Sequence, residues 1–254
     1  MQNITMLPPV RENLIYHMEH STLYAMYARK LDISDMKRIS FDMYAKDTTT
    51  FGAVSFDFVD EVRIELENEV PTNLRIPNVT KLIITGSPFI TPRIARFQWL
   101  GGLTKLRSLT LSNFYAPSDY TSIGSATQLE KLTLFNVEWI PAIWSKLTNL
   151  TDLTISGIRN KTYADQLDMN VLSPLVKLQK LHLSYTSAIA SIQVVANFPA
   201  LRVLVLFDLD YLTFIPNLEQ NQHLRVFKNR CDQAITDIPD QHYTKSDRFR
   251  LGRI

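Results

Sequence analysis

The chain has 254 residues, 45% of them apolar and 20% charged, so it is long enough for one large domain or two small ones and is not a disordered chain. Its 27 Lys and Arg residues balance 25 Asp and Glu residues, which gives no reason to expect nucleic acid or an anionic membrane as the main partner. Cys231 is the single cysteine, and no apolar run is long enough for a signal peptide or a membrane span, so we expect an intracellular, cytoplasmic protein.

The first 35 residues are predicted to form a helical N-terminal cap. Within 8–31, Val10, Leu14 and Met18 follow helical spacing on one stripe, and a second apolar stripe follows the polar break at 19–22. We interpret 1–35 as the cover of an array of repeats that begins at residue 36, because the first unit of such an array would otherwise expose an apolar edge.

The same N-terminal segment resembles the start of an F-box. LPPVRENLIYHM at 7–18 begins with the Leu-Pro step that opens a helix in that family, and TLYAM at 22–26 follows a polar break as a second helix would. The resemblance implies an alternative role for residues 7–31, in which they bind a Skp-like linker protein.

A repeated pattern occupies 36–245. Three segments show it most clearly: LTKLRSLTLSNF at 103–114, LTNLTDLTISGI at 147–158 and LVKLQKLHLSYT at 175–186. Their common frame is L-x-x-L-x-x-L-x-L, and we number positions from its second leucine, which is position 0 of a repeat. Apolar residues at +3 and +5 predict a short strand with both side chains on one face.

Nine repeats follow from this frame, with spacings of 20 to 28 residues. Their origins are Met36, Val59, Val79, Leu106, Leu129, Leu150, Leu178, Leu201 and Leu224. At positions −3, 0, +3 and +5 of the nine repeats, 34 of 36 residues are apolar, and the exceptions are Asn221 and Asn229. This excess over the 45% apolar content of the chain indicates a true repeat.

The pattern resembles that of leucine-rich-repeat proteins. The resemblance implies an α/β solenoid: a leucine-rich-repeat arc with a parallel β-sheet on its concave side and short turns, 3-10 turns or helices on its convex side. Members of the family usually carry Asn at +8, and none of the nine repeats has one there, which marks a divergent member. Asn113 and Asn136, one position earlier, are candidates to replace that side chain.

The last nine residues, 246–254, are predicted to close the sheet as a strand or to form a tail. Phe249 and Leu251 stand at +3 and +5 of a degenerate frame that starts at Ser246, and basic residues alternate with them. Such alternation suits an exposed edge strand that must avoid aggregation.

The candidate partner-binding residues lie in the C-terminal half of the repeats. In the predicted strands, positions +4 and +6 face the concave surface, where solenoids commonly bind partners. Aromatic and apolar side chains with basic neighbours have the composition of an interface hot spot. The predicted set is Phe135, His182, Tyr185, Arg202, Val205, Phe207, Arg225, Lys228 and Arg230.

The sequence contains no pattern that predicts catalysis, a metal site or a cofactor. His17 and His20 have helical spacing but no third ligand, and only seven glycines occur, without a phosphate-binding loop. Cys231 has a basic neighbour but no candidate base. We therefore expect a protein without enzymatic activity or cofactors.

The sequence predicts a protein–protein interaction module that binds another protein on its concave surface. Two alternatives stay open: an F-box-like adaptor that selects substrates for a ubiquitin ligase, and an extracellular or immune-type receptor or effector fragment. N-x-[ST] sequons at Asn3, Asn78, Asn149 and Asn160 favour the latter. The sequence identifies neither the partner nor the oligomeric state.

Overall fold

A computed structural model describes ten ranges of the chain. They are 16–19, 38–43, 59–66, 76–86, 97–114, 120–139, 141–158, 166–218, 221–231 and 235–236.

Ten of the strands in these ranges form one parallel sheet whose spatial order follows the chain. Its strands are β1 (Tyr16–Glu19), β2 (Arg38–Met43), β3 (Glu61–Leu66), β4 (Lys81–Gly86), β5 (Ser108–Phe114), β6 (Lys131–Val137), β7 (Asp152–Ser156), β8 (Lys180–Ser184), β9 (Val203–Phe207) and β11 (Val226–Arg230). Two short strands, β10 (Phe214–Ile215) and β12 (Ile235–Thr236), pair outside this sheet. The strands therefore stack one repeat on the next, as in an open solenoid.

Short 3-10 helices connect several of the strands. The described ones are Gln98–Gly102, Tyr120–Ser125, Pro141–Ile143, Met169–Leu172 and Gln193–Asn197. Pro141 opens one of them, a position that suits its fixed φ and its missing N–H. None of the helices in the described ranges has the length and apolar character that crossing a bilayer requires.

The strand register confirms the nine predicted repeat origins. Every +3 residue pairs with the +3 residue of the next repeat along a single row: Ile39, Val62, Leu82, Leu109, Leu132, Leu153, Leu181, Leu204 and Phe227. From β3 to β9 the +3 and +5 side chains are at most 1% exposed. Stacked repeats thus form one continuous core behind the sheet.

Two backbone contacts recur at the start of the strands from β4 to β9. In the turn before a strand, the N–H at position 0 donates to the carbonyl at −3, as Leu129 does to Ala126 over 3.0 Å. The carbonyl at +1 then accepts two N–H groups from the next repeat: both Glu130 and Lys131 donate to Arg107 over 2.9 Å. These contacts satisfy backbone groups that the buried turn would otherwise leave unpaired.

At the end of the strands, position +7 has a left-handed backbone in five successive repeats. The φ angles are 61° at Asn113, 50° at Asn136, 63° at Gly157, 49° at Tyr185 and 47° at Asp208. The turn rotates the +8 side chain into the core, and the apolar residues Phe114, Val137, Ile158 and Leu209 are buried there. These buried apolar side chains occupy the +8 position, where the leucine-rich-repeat proteins that the sequence resembles usually carry Asn.

Side-chain hydrogen bonds connect the +7 or +8 positions of some neighbouring repeats. Asn136 Nδ2 donates to Asn113 Oδ1 over 3.2 Å. Thr186, fully buried at +8, donates through Oγ1 to the Ser184 carbonyl over 2.9 Å and accepts from the Ile158 N–H over 3.3 Å. Two pairs of neighbouring repeats, 4 with 5 and 6 with 7, thus have a side-chain link between their turns.

The last described repeat is held by a buried amide. Asn221, which breaks the apolar pattern at −3, is 2% exposed, and its Nδ2 donates to the carbonyls of Val195 and Phe198 over 3.2 and 2.9 Å. Its Oδ1 has no hydrogen-bond partner among the described residues. The exception to the repeat pattern is therefore a tie between repeats 8 and 9.

The predicted N-terminal helix is wrong at residues 16–19. These residues form β1, whose Tyr16 and Met18 pair with Ile39 and Phe41 of β2, so the sheet begins one strand before the first predicted repeat. A four-residue segment with apolar residues in alternation satisfies strand spacing as well as helical spacing. The remainder of the predicted cap and F-box segment, and the predicted closing strand at 246–254, lie outside the described residues.

A substitution at Gly157 tests whether the left-handed backbone at +7 restricts the residue type. A Cβ at this residue would collide with Asn136 Oδ1, and a positive φ strains any L side chain. We expect Gly157→Ala to lower the free energy of unfolding in urea by about 1–3 kcal/mol. Gly102→Ala is the matched control, because its Cβ would meet no atom within 4 Å. Equal effects of the two substitutions would contradict the strain at +7.

Asn221 tests the tie at the end of the array. Asn221→Ala removes two buried hydrogen bonds, so we expect a loss of about 1–3 kcal/mol in urea unfolding. Asn197→Ala, at an exposed site on the preceding helix, serves as control and should change the free energy by less than about 0.5 kcal/mol. If both variants unfold alike, the amide does not hold repeat 9.

Candidate functional site

On the face of the sheet that points away from the core, the +6 side chains differ in size from repeat to repeat. In register, Phe135 neighbours Ser156, Ser156 neighbours Ser184, and Ser184 neighbours Phe207. Phe135 is 43% exposed and Phe207 is half-buried, whereas the two serines are only 5% and 4% exposed. The row therefore forms a slot with a serine floor between two aromatic rings.

Tyr185 completes one wall of this slot. Its ring packs edge-to-face on Phe207, with centroids 5.0 Å apart and an interplanar angle of 63°, and its side chain is 59% exposed. Its N–H donates to the Phe207 carbonyl over 3.0 Å. Since a positive φ is uncommon for a bulky residue, this bond to β9 holds Tyr185 in its left-handed conformation. We call Phe135, Tyr185 and Phe207 the aromatic cluster.

The width of the slot follows from the sheet. Phe135 and Phe207 are separated by three strand intervals, or about 14 Å between backbones. Because Ser156 and Ser184 are almost fully buried, the accessible surface here is that of the aromatic rings, which can pack against an apolar side chain. The geometry suits contact with a polypeptide.

His182 lies beside the slot, at +4 between Thr154 and Val205. All three are half-buried. Burial lowers the pKa of the His182 imidazole from its ordinary value of 6.5, and the negative charge of Asp152 opposes this shift. Desolvation favours the uncharged form of a base, so the ring is neutral at pH 7 and able both to donate and to accept.

A charged row at +2 borders the other side of His182. Lys131 Nζ lies 3.2 Å from Asp152 Oδ2, and Lys180 Nζ lies 3.8 Å from the same oxygen. Farther along this row Lys81 pairs with Glu61 at 3.0 Å. Ion pairs this exposed contribute little to stability, but they keep the Asp152 carboxylate in place.

The basic residues of the predicted set do not all join the aromatic cluster. Arg202 and Arg225 stand at +1, before β9 and β11 begin, whereas the aromatic residues stand at +6 and +7. The two groups are therefore roughly 17–20 Å apart along the strands. The predicted set therefore divides into two groups at opposite ends of the strands, and its role in partner binding stays a prediction.

Two further residues of the set are placed by register alone. Lys228 pairs with Val205, and Arg230 pairs with Phe207. Both therefore belong to the strand that follows β9 on the same sheet.

Sequence reasoning missed the charged row at +2. It could have been found by reading that position down the repeats, which gives Lys131, Asp152 and Lys180 in alternating sign. The pairing of Tyr185 with Phe207 had no such signal, because it depends on the left-handed turn at +7.

The described residues offer no centre for metal chemistry. No group of three His, Cys, Asp or Glu side chains among them is placed to hold an ion. Cys231 is half-buried and packs against the core.

The lowered pKa of His182 predicts the direction in which stability changes with pH. Between the folded-state pKa and 6.5 the unfolded chain binds more protons than the folded chain. The contribution of the His182 ring to the free energy of unfolding is therefore fully present above pH 6.5 and is lost as the pH decreases through this window. We expect the NMR titration midpoint of the His182 ring, assigned with His182→Gln, to lie below 6.5. Asp152→Asn should lower the midpoint further. A midpoint above 6.5 would show that Asp152 outweighs burial.

Comparisons of the sequence with family models and with curated proteins find no match, whereas several solved structures are similar. A leucine-rich-repeat protein of Leptospira interrogans has a TM-score of 0.56 at 16% identity, covering 77% of this chain and 49% of that one. Internalin C2 of Listeria monocytogenes has a TM-score of 0.50 at 21% identity, with 68% and 72% covered.

A chain of the mouse RP105/MD-1 complex has a TM-score of 0.51 at 16% identity and covers 89% of this chain and 42% of that one. The chain thus spans about half the length of the Leptospira protein. Identities this low show a shared fold. Together with the register of the repeats, they show that the chain is a divergent protein with the leucine-rich-repeat fold.

Proposed function

We propose that this chain is a non-catalytic recognition module that binds a partner protein on the concave face of repeats 5 to 8. The observation that carries the proposal is the aromatic cluster, in which Phe135 and Tyr185 are 43% and 59% exposed on a sheet face. Burying the exposed part of each ring would contribute about 2 kcal/mol. Aromatic side chains with such exposed area are typical of binding hot spots.

The surroundings of the cluster support a protein partner. The +4 row of Thr133, Thr154 and His182 lies beside the aromatic rings and supplies hydroxyl and imidazole groups that can pair with the backbone amides of a partner. The chain of the mouse RP105/MD-1 complex that shares the fold was solved in a complex of two proteins. The intracellular location stays a prediction from the sequence.

The test removes the cluster without disturbing the fold. Phe135→Ser removes one exposed ring. Tyr185→Asn removes the exposed ring that packs on Phe207 and keeps a residue that tolerates positive φ, as Asn113 and Asn136 do at the same position. The doubly substituted chain and the unchanged chain are immobilised, and the proteins that each retains from native lysate are quantified. We expect the bound partner to fall at least about tenfold, since two hot-spot rings are lost.

Phe214→Ser combined with Val176→Ser is the matched control. Both residues are exposed apolar side chains outside the cluster, 41% and 52% accessible. Circular dichroism confirms that each variant is folded. Partner retention that is unchanged by Phe135→Ser and Tyr185→Asn, or reduced equally by the control, would contradict binding at the cluster.

A further inference from the structure

A second surface of different chemistry lies at the opposite ends of the strands. Arg202 and Arg225 occupy the +1 position of repeats 8 and 9, and both are exposed. Neither guanidinium has an ion-pair partner within the part of the chain that the structure describes. In repeats 4 and 5 the same row is neutralised, because Arg107 Nε lies 3.4 Å from Glu130 Oε1.

The two arginines are direct neighbours. The Arg225 N–H donates to the Arg202 carbonyl over 2.8 Å, and Val226 pairs with Val203 one residue later. Their backbones are therefore about 5 Å apart. Like charges at the same position of neighbouring strands repel each other, and an anion bound by both arginines would relieve the repulsion.

A recess opens beside Arg202. It has a volume of about 250 Å³ and is lined by Gln179, Pro199, Ala200, Arg202 and His223. No carboxylate lines it, and its polar side chains can all donate hydrogen bonds. This volume is below that of a pocket for a drug-sized molecule, but it accommodates one side chain. The apolar Pro199 and Ala200 would pack against the methylene groups of that side chain.

We propose that this cationic edge, consisting of Arg202, Arg225 and the recess, binds an acidic segment of a protein partner. One carboxylate enters the recess and pairs with Arg202, and a neighbouring one pairs with Arg225. The planar guanidinium forms two parallel hydrogen bonds with a carboxylate. The edge lies roughly 17–20 Å from the aromatic cluster, so the proposal does not depend on binding there.

Charge distribution favours a peptide over a nucleic acid. A polyanion needs a continuous basic track, whereas the +1 residues of repeats 5 to 7 are Glu130, Thr151 and Gln179, and the net charge of the whole chain is +2. Two cations on adjacent repeats match two carboxylates near each other in a peptide.

The experiment measures binding of a fluorescein-labelled hexapeptide of alternating Glu and Asp by fluorescence anisotropy in about 50 mM salt, where screening is weak. Arg202→Gln combined with Arg225→Gln should weaken binding about tenfold. Arg107→Gln combined with Lys146→Gln removes the same two charges elsewhere and should weaken it no more than about twofold. Phe135→Ser with Tyr185→Asn should leave peptide binding unchanged, which separates this site from the aromatic cluster.

Three results would overturn the proposal. The first is an absence of peptide binding by the unchanged chain at millimolar concentration. The second is an equal loss in the two double variants, which would mean that overall charge alone attracts the peptide. The third is tighter binding of a short single-stranded oligonucleotide through Arg202 and Arg225, which would assign the edge to nucleic acid.

Discussion

In repeats 2 to 7 the +1 carbonyl accepts the two N–H groups that begin the next strand, and this contact sets the register of the sheet from β3 to β9. A slip of one residue would turn the +3 and +5 side chains out of the core in every repeat that followed. Repeat lengths nonetheless vary from 20 to 28 residues. The variation is absorbed between the strands, and the sheet stays in register.

The left-handed residues at +7 form a column next to the +8 position, where leucine-rich-repeat proteins, which the sequence resembles, usually have a row of asparagines. It reverses the chain so that an apolar +8 side chain enters the core, and stacking of such side chains replaces amide hydrogen bonds. The column accepts Asn113, Gly157 and Asp208 at little cost, because these residue types tolerate positive φ. Tyr185 is the exception, with a cost of order 1–2 kcal/mol, and it stands at the aromatic cluster. The backbone strain at Tyr185 thus coincides with the aromatic cluster on the surface.

The repeats could be predicted because their signal is local and repeated. Apolar residues two apart, at +3 and +5, recur often enough to define every strand from β2 to β11 in the main sheet. Short segments without repetition were less certain: Tyr16 and Met18 fit a helix in sequence and form a strand. The repeat frame also did not predict solvent exposure. Ser156 and Ser184 face outward by their position in the frame, yet both are almost fully buried.

The candidate site was half predictable for a related reason. The frame places Phe135, His182 and Phe207 on the same face, and the structure agrees. It does not say how far apart two positions of one repeat lie along the strand, and so Arg202 was grouped with aromatic residues at the other end. Contacts that depend on backbone conformation, such as Tyr185 on Phe207, have no counterpart in composition.

The serine floor between Phe135 and Phe207 also defines the size of what fits there. The backbones that carry the two rings are about 14 Å apart, a distance that about four residues of extended chain span. An extended partner segment that contacts both rings would therefore place its two apolar side chains four positions apart, on one face of the strand. The spacing of the strands in the sheet thus limits the sequence that a bound strand could have.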